Sequence, residues 1–124
     1  MELDKYDFDY YVESFGEFKE PNKNYTEILK LNELLSKTEI PYTIDRYFDG
    51  WEIIYFYNGE RIADAVQHFA SYGADENLLE IMGCLTSDEE QDGVLGFLTA
   101  EEVFKRFSKD FLNRKFGTKK EGKT

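Results

Sequence analysis

Apolar residues recur along the chain with two different periods. Between residues 26 and 36, Ile28, Leu31, Leu34 and Leu35 fall three and four apart, which is the stripe of an amphipathic helix. Asn24 or Thr26 is placed to cap its start. Pro41 ends any helical continuation and biases Ile40 to extended backbone. The period then drops to two. Residues 41–48 and 51–57 are rich in aromatic and β-branched side chains, and Asp49-Gly50 and Asn58-Gly59 follow them. Such dipeptides suit two-residue hairpin turns because both central positions tolerate positive φ. A third extended run is expected from Arg61 to about His68. Ile62, Val66 and Phe69 also fit a helical spacing there, but the preceding Asn-Gly turn decides for a strand. In the middle strand Trp51, Ile53, Tyr55 and Tyr57 share one face, and Glu52, Ile54 and Phe56 share the other. Both faces are partly apolar, which predicts a strand covered on both sides.

Ser71-Tyr72-Gly73 breaks the third run. A short helix is expected from Glu76 to Met82, with Leu78, Leu79 and Met82 inward and Gly83 as its stop. Residues 86–96 read as an acidic loop. The last helix opens on Thr99-Ala100-Glu101-Glu102, the spacing of a capping box. Ala100, Val103, Phe104, Phe107 and Phe111 then form an apolar seam. Glu101 and Glu102 sit at its positive end, and Lys109, Arg114 and Lys115 toward its negative end. The fold class expected is α+β: a three-stranded antiparallel meander packed with an N-terminal helix, a short central helix and a C-terminal helix. One domain is expected over residues 24–116, between an acidic aromatic arm at 1–23 and a basic disordered tail at 117–124.

Composition agrees with a single domain. The chain has 124 residues, 41% of them apolar and 17% aromatic, enough to fill one core. The longest uncharged run, residues 65–74, is too short to cross a membrane as a helix. The acidic start is unlike a signal peptide, so a cytoplasmic protein is expected. A single cysteine, Cys84, excludes an intrachain disulfide and a multi-cysteine zinc site.

Charge changes the picture more. The net charge is −11, and it is unevenly spread. Residues 75–102 hold nine acids and no base, whereas residues 103–124 hold eight bases and two acids. Such a chain repels nucleic acid over most of its surface. It suits a protein partner with a basic surface, including one that itself binds nucleic acid. Two groups of residues are candidates for that contact. One is the loop with Asp88, Glu89, Glu90 and Asp92. The other is the arm, where Tyr6, Phe8, Tyr10 and Tyr11 alternate with or adjoin acids.

Residues able to do chemistry are few. His68 is the one histidine, and Ser71 and Cys84 are the nucleophiles considered with it. Neither lies in a nucleophile elbow, and the chain has no phosphate-binding glycine loop. The acidic loop lacks the calcium-loop pattern. No enzyme activity, cofactor or metal is therefore expected. His68, Ser71 and Tyr72, around a tight break, are the candidate site of an alternative, in which the protein sequesters a small ligand or nucleotide.

The phrases Asp49-Gly-Trp-Glu-Ile53, Ser71-Tyr-Gly73, Leu78-Leu-Glu-Ile-Met-Gly83, Leu85-Thr86 and Leu98-Thr-Ala-Glu-Glu-Val-Phe104 carry a resemblance. Over residues 26–108 the chain resembles small hypothetical proteins encoded in phages and prophages of low-GC Gram-positive bacteria. That family has no established activity, so the resemblance assigns no residue a role. It implies an accessory phage protein inside a host bacterial cell. Such a protein would bind and inhibit a host protein, as a defence inhibitor of the anti-CRISPR kind or as a nucleic-acid mimic. A structural or adaptor role without inhibition is a further alternative.

Overall fold

Both predicted turns close hairpins, but by different residues. The computed structural model describes residues 21–117. The arm residues up to 20 and the tail from 118 lie outside the described residues. Strands β1 (Tyr42–Tyr47), β2 (Gly50–Tyr57) and β3 (Glu60–Gln67) pair antiparallel in chain order. At the second turn Asn58 and Gly59 take φ of 51° and 80°, as their types allow. At the first turn the central pair is Phe48-Asp49, and Phe48 carries the positive φ of 57°. Gly50 is needed for a different reason. It faces β3 so closely that an added Cβ would stand 1.7 Å from the Gln67 carbonyl oxygen.

The sheet is wider than a meander of three. Strands β4 (Leu79–Met82) and β5 (Leu95–Leu98) extend it to five antiparallel strands in the order β1-β2-β3-β4-β5. The helix expected over Glu76–Met82 is thus corrected to a strand preceded by a single 3-10 turn, Ala74–Glu76. Asn77 takes a left-handed conformation, φ 58°, which ends that turn. From there Leu79 and Ile81 alternate inward while Glu80 and Met82 face the other way, a period of two. The expected acidic loop also contains structure: a 3-10 turn at Glu89–Gln91, and β5 beyond it.

Two helices, α1 (Glu27–Ser36) and α2 (Ala100–Phe116), stand where the periodicity places them. Both cover the same face of the sheet. Ile28, Leu31 and Leu35 of α1 and Val103, Phe107 and Phe111 of α2 pack with Ile53, Tyr55, Ala65, Leu79 and Ile81. The rings of Tyr55 and Phe107 stack at 5.3 Å, and the Tyr55 hydroxyl donates to Asp110 Oδ2 at 2.7 Å. Each fully buried aliphatic or phenyl group in this layer contributes about 1.5–3 kcal/mol.

The helix starts are satisfied in two ways. In α2 both halves of the capping box form: Thr99 Oγ1 accepts from Glu102 N and Glu102 Oε1 accepts from Thr99 N. Gly117, in a left-handed conformation, closes the other end. In α1 neither Asn24 nor Thr26 caps through its side chain. Instead Asn77 Oδ1 accepts the Thr26 and Glu27 amides, and the buried Gln67 Oε1 accepts that of Ile28 at 3.0 Å. Gln67 and Asn77 are joined by a 2.8 Å hydrogen bond. The first turn of α1 is therefore fastened to the end of β3 and the start of β4.

Candidate interaction face

With both helices on one side, the opposite face of the sheet carries no helix among the described residues. On that face Glu52, Ile54 and Phe56 of β2 are half-buried, and Asp64 and Val66 of β3 are buried. Strand register decides what this open face displays. Asp45 lies opposite Glu52, Glu52 opposite Val66, and Val66 opposite Glu80. One row across four strands therefore reads Asp45-Glu52-Val66-Glu80. The next row reads Thr43-Ile54-Asp64-Met82. Large apolar groups border these carboxylates. Tyr47, Met82, Phe97 and Tyr72 are 37%, 50%, 56% and 58% exposed.

The charges are poorly balanced within the face. Arg61 supplies the one guanidinium among them. Its Nη2 donates to Asp64 Oδ2 at 2.6 Å and to Glu52 Oε2 at 3.2 Å. Asp64 is buried beneath this pair. Burial raises the Glu52 carboxyl to about 7, and the neighbouring Asp64 adds to the rise against the opposing pull of Arg61. Glu80 accepts the Tyr72 amide through Oε1 at 2.8 Å. Among the described residues no three acids, histidines or cysteines converge as a metal cage would require. The carboxylates are spread along the strands, an arrangement suited to several cationic side chains rather than to one ion.

The residues singled out by sequence have different fates. His68, Ser71 and Tyr72 do lie together, but His68 and Ser71 are engaged in a turn. Ser71 Oγ accepts the His68 amide and donates to the His68 carbonyl, while the imidazole Nδ1 accepts the Ala70 amide. The His68 ring sits among Tyr47, Phe48 and Phe69, with centroids 5.1–5.9 Å away. This burial lowers the pKa of the imidazole, against a smaller opposing pull from Asp49. The buried Asp49 has its own structural role, accepting from the Tyr25 hydroxyl and the Phe69 amide.

In the acidic loop, Glu89 is an anchor. Its two oxygens meet the two terminal nitrogens of Arg106 at 2.8 and 2.9 Å, and Oε1 also accepts the Thr86 amide. Those bonds hold its carboxyl down at about 2. Asp88, Glu90 and Asp92 do not share that pairing, and Asp88 and Asp92 are exposed. Tyr6, Phe8, Tyr10 and Tyr11 lie outside the described residues. Cys84 lies just beyond the end of β4, and burial pushes its thiol up to about 12, against nucleophilic use.

Sequence reasoning missed the open face itself. Asp45, Glu52, Asp64 and Glu80 are far apart in sequence and ordinary one by one. The signal was Glu52, a carboxylate alternating with Ile54 and Phe56 in a strand read as fully covered. No helix among the described residues is long and apolar enough to cross a membrane. Comparison with family models, characterised proteins and solved structures yields no match.

Proposed function

We propose that the protein is a binding module that docks a basic protein partner on the open face of its sheet. The observation that carries this reading is the row Asp45-Glu52-Glu80, separated only by Val66 and bordered by exposed Tyr47 and Met82. Like charges directly opposed on neighbouring strands destabilise a sheet. Lysine or arginine side chains from a partner would relieve that repulsion, and the tyrosines and methionine would supply apolar contact around them. The loop acids Asp88, Glu90 and Asp92 add to the field that attracts such a partner.

The resemblance to phage-encoded proteins directs the reading further. The partner would be a host protein whose own ligand is nucleic acid, with carboxylates standing where it expects phosphates. Binding there would block it, as a defence inhibitor does.

The test compares the wild-type chain with an Asp45→Asn/Glu80→Gln variant, each immobilised and exposed to lysate of a Gram-positive host. A glutamine side chain at position 80 can still accept the Tyr72 amide, so the fold is preserved. A basic protein retained by the wild type, lost from the variant and displaced by duplex DNA supports the proposal. Equal retention by both chains refutes it.

A further inference from the structure

A second surface has the opposite character. A groove of about 490 Å³ runs beside α2, between that helix and the segment that follows β4. Its walls include Cys84, Leu85 and Leu98 on one side and Lys105, Arg106 and Lys109 on the other. The acids that border it are already committed within the fold. Asp110 is held by Tyr55 and Arg114, and Glu102 by the Thr99 amide. Arg106 is held by Glu89 and the Cys84 carbonyl. Lys105 and Lys109 are not so committed. They are exposed, four apart on one side of α2, and neither forms an ion pair among the described residues. The groove thus pairs apolar walls with two cations free to take carboxylates, in a protein of net charge −11.

We infer that this groove is the docking site of the chain's own N-terminal arm, residues 2–20. The arm carries seven carboxylates against two lysines, with Tyr6, Phe8, Tyr10 and Tyr11 interleaved among or beside them. That composition complements the groove in both respects: carboxylates for Lys105 and Lys109, aromatic rings for Leu85 and Leu98. The same arm would be repelled by the open sheet face with its four carboxylates. Reach is sufficient. The Asn22 amide is fixed to the Asp49 carbonyl at the β1–β2 turn. Sixteen Cα–Cα steps separate Tyr6 from Asn22, and an extended chain of that length spans about 53 Å. A domain of ~100 residues has a radius of gyration of about 13 Å, equivalent to a sphere of about 17 Å radius, and a path half-way round its surface is about 53 Å, so Tyr6 and the residues before it can reach any part of the domain. Tethering also favours the arm over a free acidic partner, because it presents the arm at an effective concentration of about 1 mM.

The experiment uses the full chain carrying Phe8→Cys and Cys84→Ser, with a nitroxide on residue 8. Amide peak heights are compared between the oxidised and reduced label. At an effective concentration near 1 mM even a contact with Kd of about 1 mM is half-occupied, so peaks at the site should fall about twofold or more. The inference expects that loss at Leu85, Lys105 and Lys109, with Glu52 and Glu80 unaffected. The loss should vanish when Lys105→Glu and Lys109→Glu are added. Asp4→Asn, Asp7→Asn and Asp9→Asn in the arm should weaken it without touching the domain. Broadening at Glu52 and Glu80, or broadening that survives both sets of substitutions, overturns the inference. So does the absence of broadening at the groove. Broadening that appears only when labelled chain is mixed with isotope-labelled, nitroxide-free chain assigns the groove to a second copy and equally overturns it.

Discussion

Asp45 of β1 and Glu52 of β2 are direct cross-strand partners, so two carboxyl groups leave the sheet on the side that carries no helix among the described residues. Neighbouring side chains on one sheet face interact by about 0.2–1 kcal/mol, and like charges there are unfavourable. Above pH 7, where the Glu52 carboxyl is ionised, Asp45→Lys should therefore stabilise the fold by about 0.5 kcal/mol. Urea denaturation at low ionic strength measures it, and an unchanged or lower midpoint contradicts the pairing. The same substitution should weaken capture of a basic partner, so stability and binding move in opposite directions.

Glu52 gives this face a pH signature. Its carboxyl is raised from 4.5 to about 7, so the folded state holds a proton that the unfolded chain has released over that interval. The stabilisation it supplies is complete below 4.5 and is lost as the pH rises through about 7. The difference in stability between wild type and Glu52→Gln should drift against the wild type between pH 5 and pH 8. His68 acts in the other direction: its lowered pKa means that stability falls as the pH drops below its ordinary value near 6.5. A His68→Gln variant should lose that acid-side sensitivity. Parallel pH curves for each variant and the wild type would exclude these assignments.

The start of α1 depends on residues remote in sequence. Gln67→Leu removes the acceptor of the buried Ile28 amide and should cost about 1–3 kcal/mol, the usual penalty for an unsatisfied buried donor. Thr26→Ala should cost less, because the Thr26 hydroxyl accepts only from the Asn77 side chain and does not cap the helix. A larger loss for Thr26→Ala than for Gln67→Leu would restore local capping as the explanation.

The acidic loop separates into one structural acid and three others. Glu89→Gln should lower the melting temperature, since it weakens the Arg106 pair that pins the loop to α2. Asp88→Asn, Glu90→Gln and Asp92→Asn together should leave it unchanged or slightly raised. Equal melting temperatures for the two proteins would mean that the Arg106 contact contributes nothing.

Those contrasts mark how much the sequence discloses. The seams of α1 and α2 are legible because helical spacing is local, and the Thr99–Glu102 box because its partners are three residues apart. β4 is hidden by its own composition: Leu78, Leu79 and Met82 match a helical stripe as well as Leu79 and Ile81 match a strand. Only pairing with β3 and β5 selects the strand. β5 is four residues long, carries Gly96, and has a left-handed Phe97, so it lacks a periodic signature of its own. The α1 cap comes from 39 and 50 residues away, beyond any local rule. The candidate face is hardest to read, because it exists only once five strands fix which acids share a side.

The buried seam gives a check on the fold beneath that face. Phe107 is fully buried against Tyr55, and Phe107→Ala should destabilise by about 3–5 kcal/mol. A variant that melts with the wild type would place the α2 seam on the wrong side.

Affinity as a function of salt tests whether a basic partner sits on the sheet face that carries Asp45 and Glu80. With the captured partner purified, Kd is measured against ionic strength for the wild type and for Asp45→Asn/Glu80→Gln. Removing two of the carboxylates at the docking surface should weaken binding about tenfold, a difference of about 1.4 kcal/mol, and flatten the dependence on salt. If both chains bind with the same Kd and the same salt slope, the partner does not sit on this face.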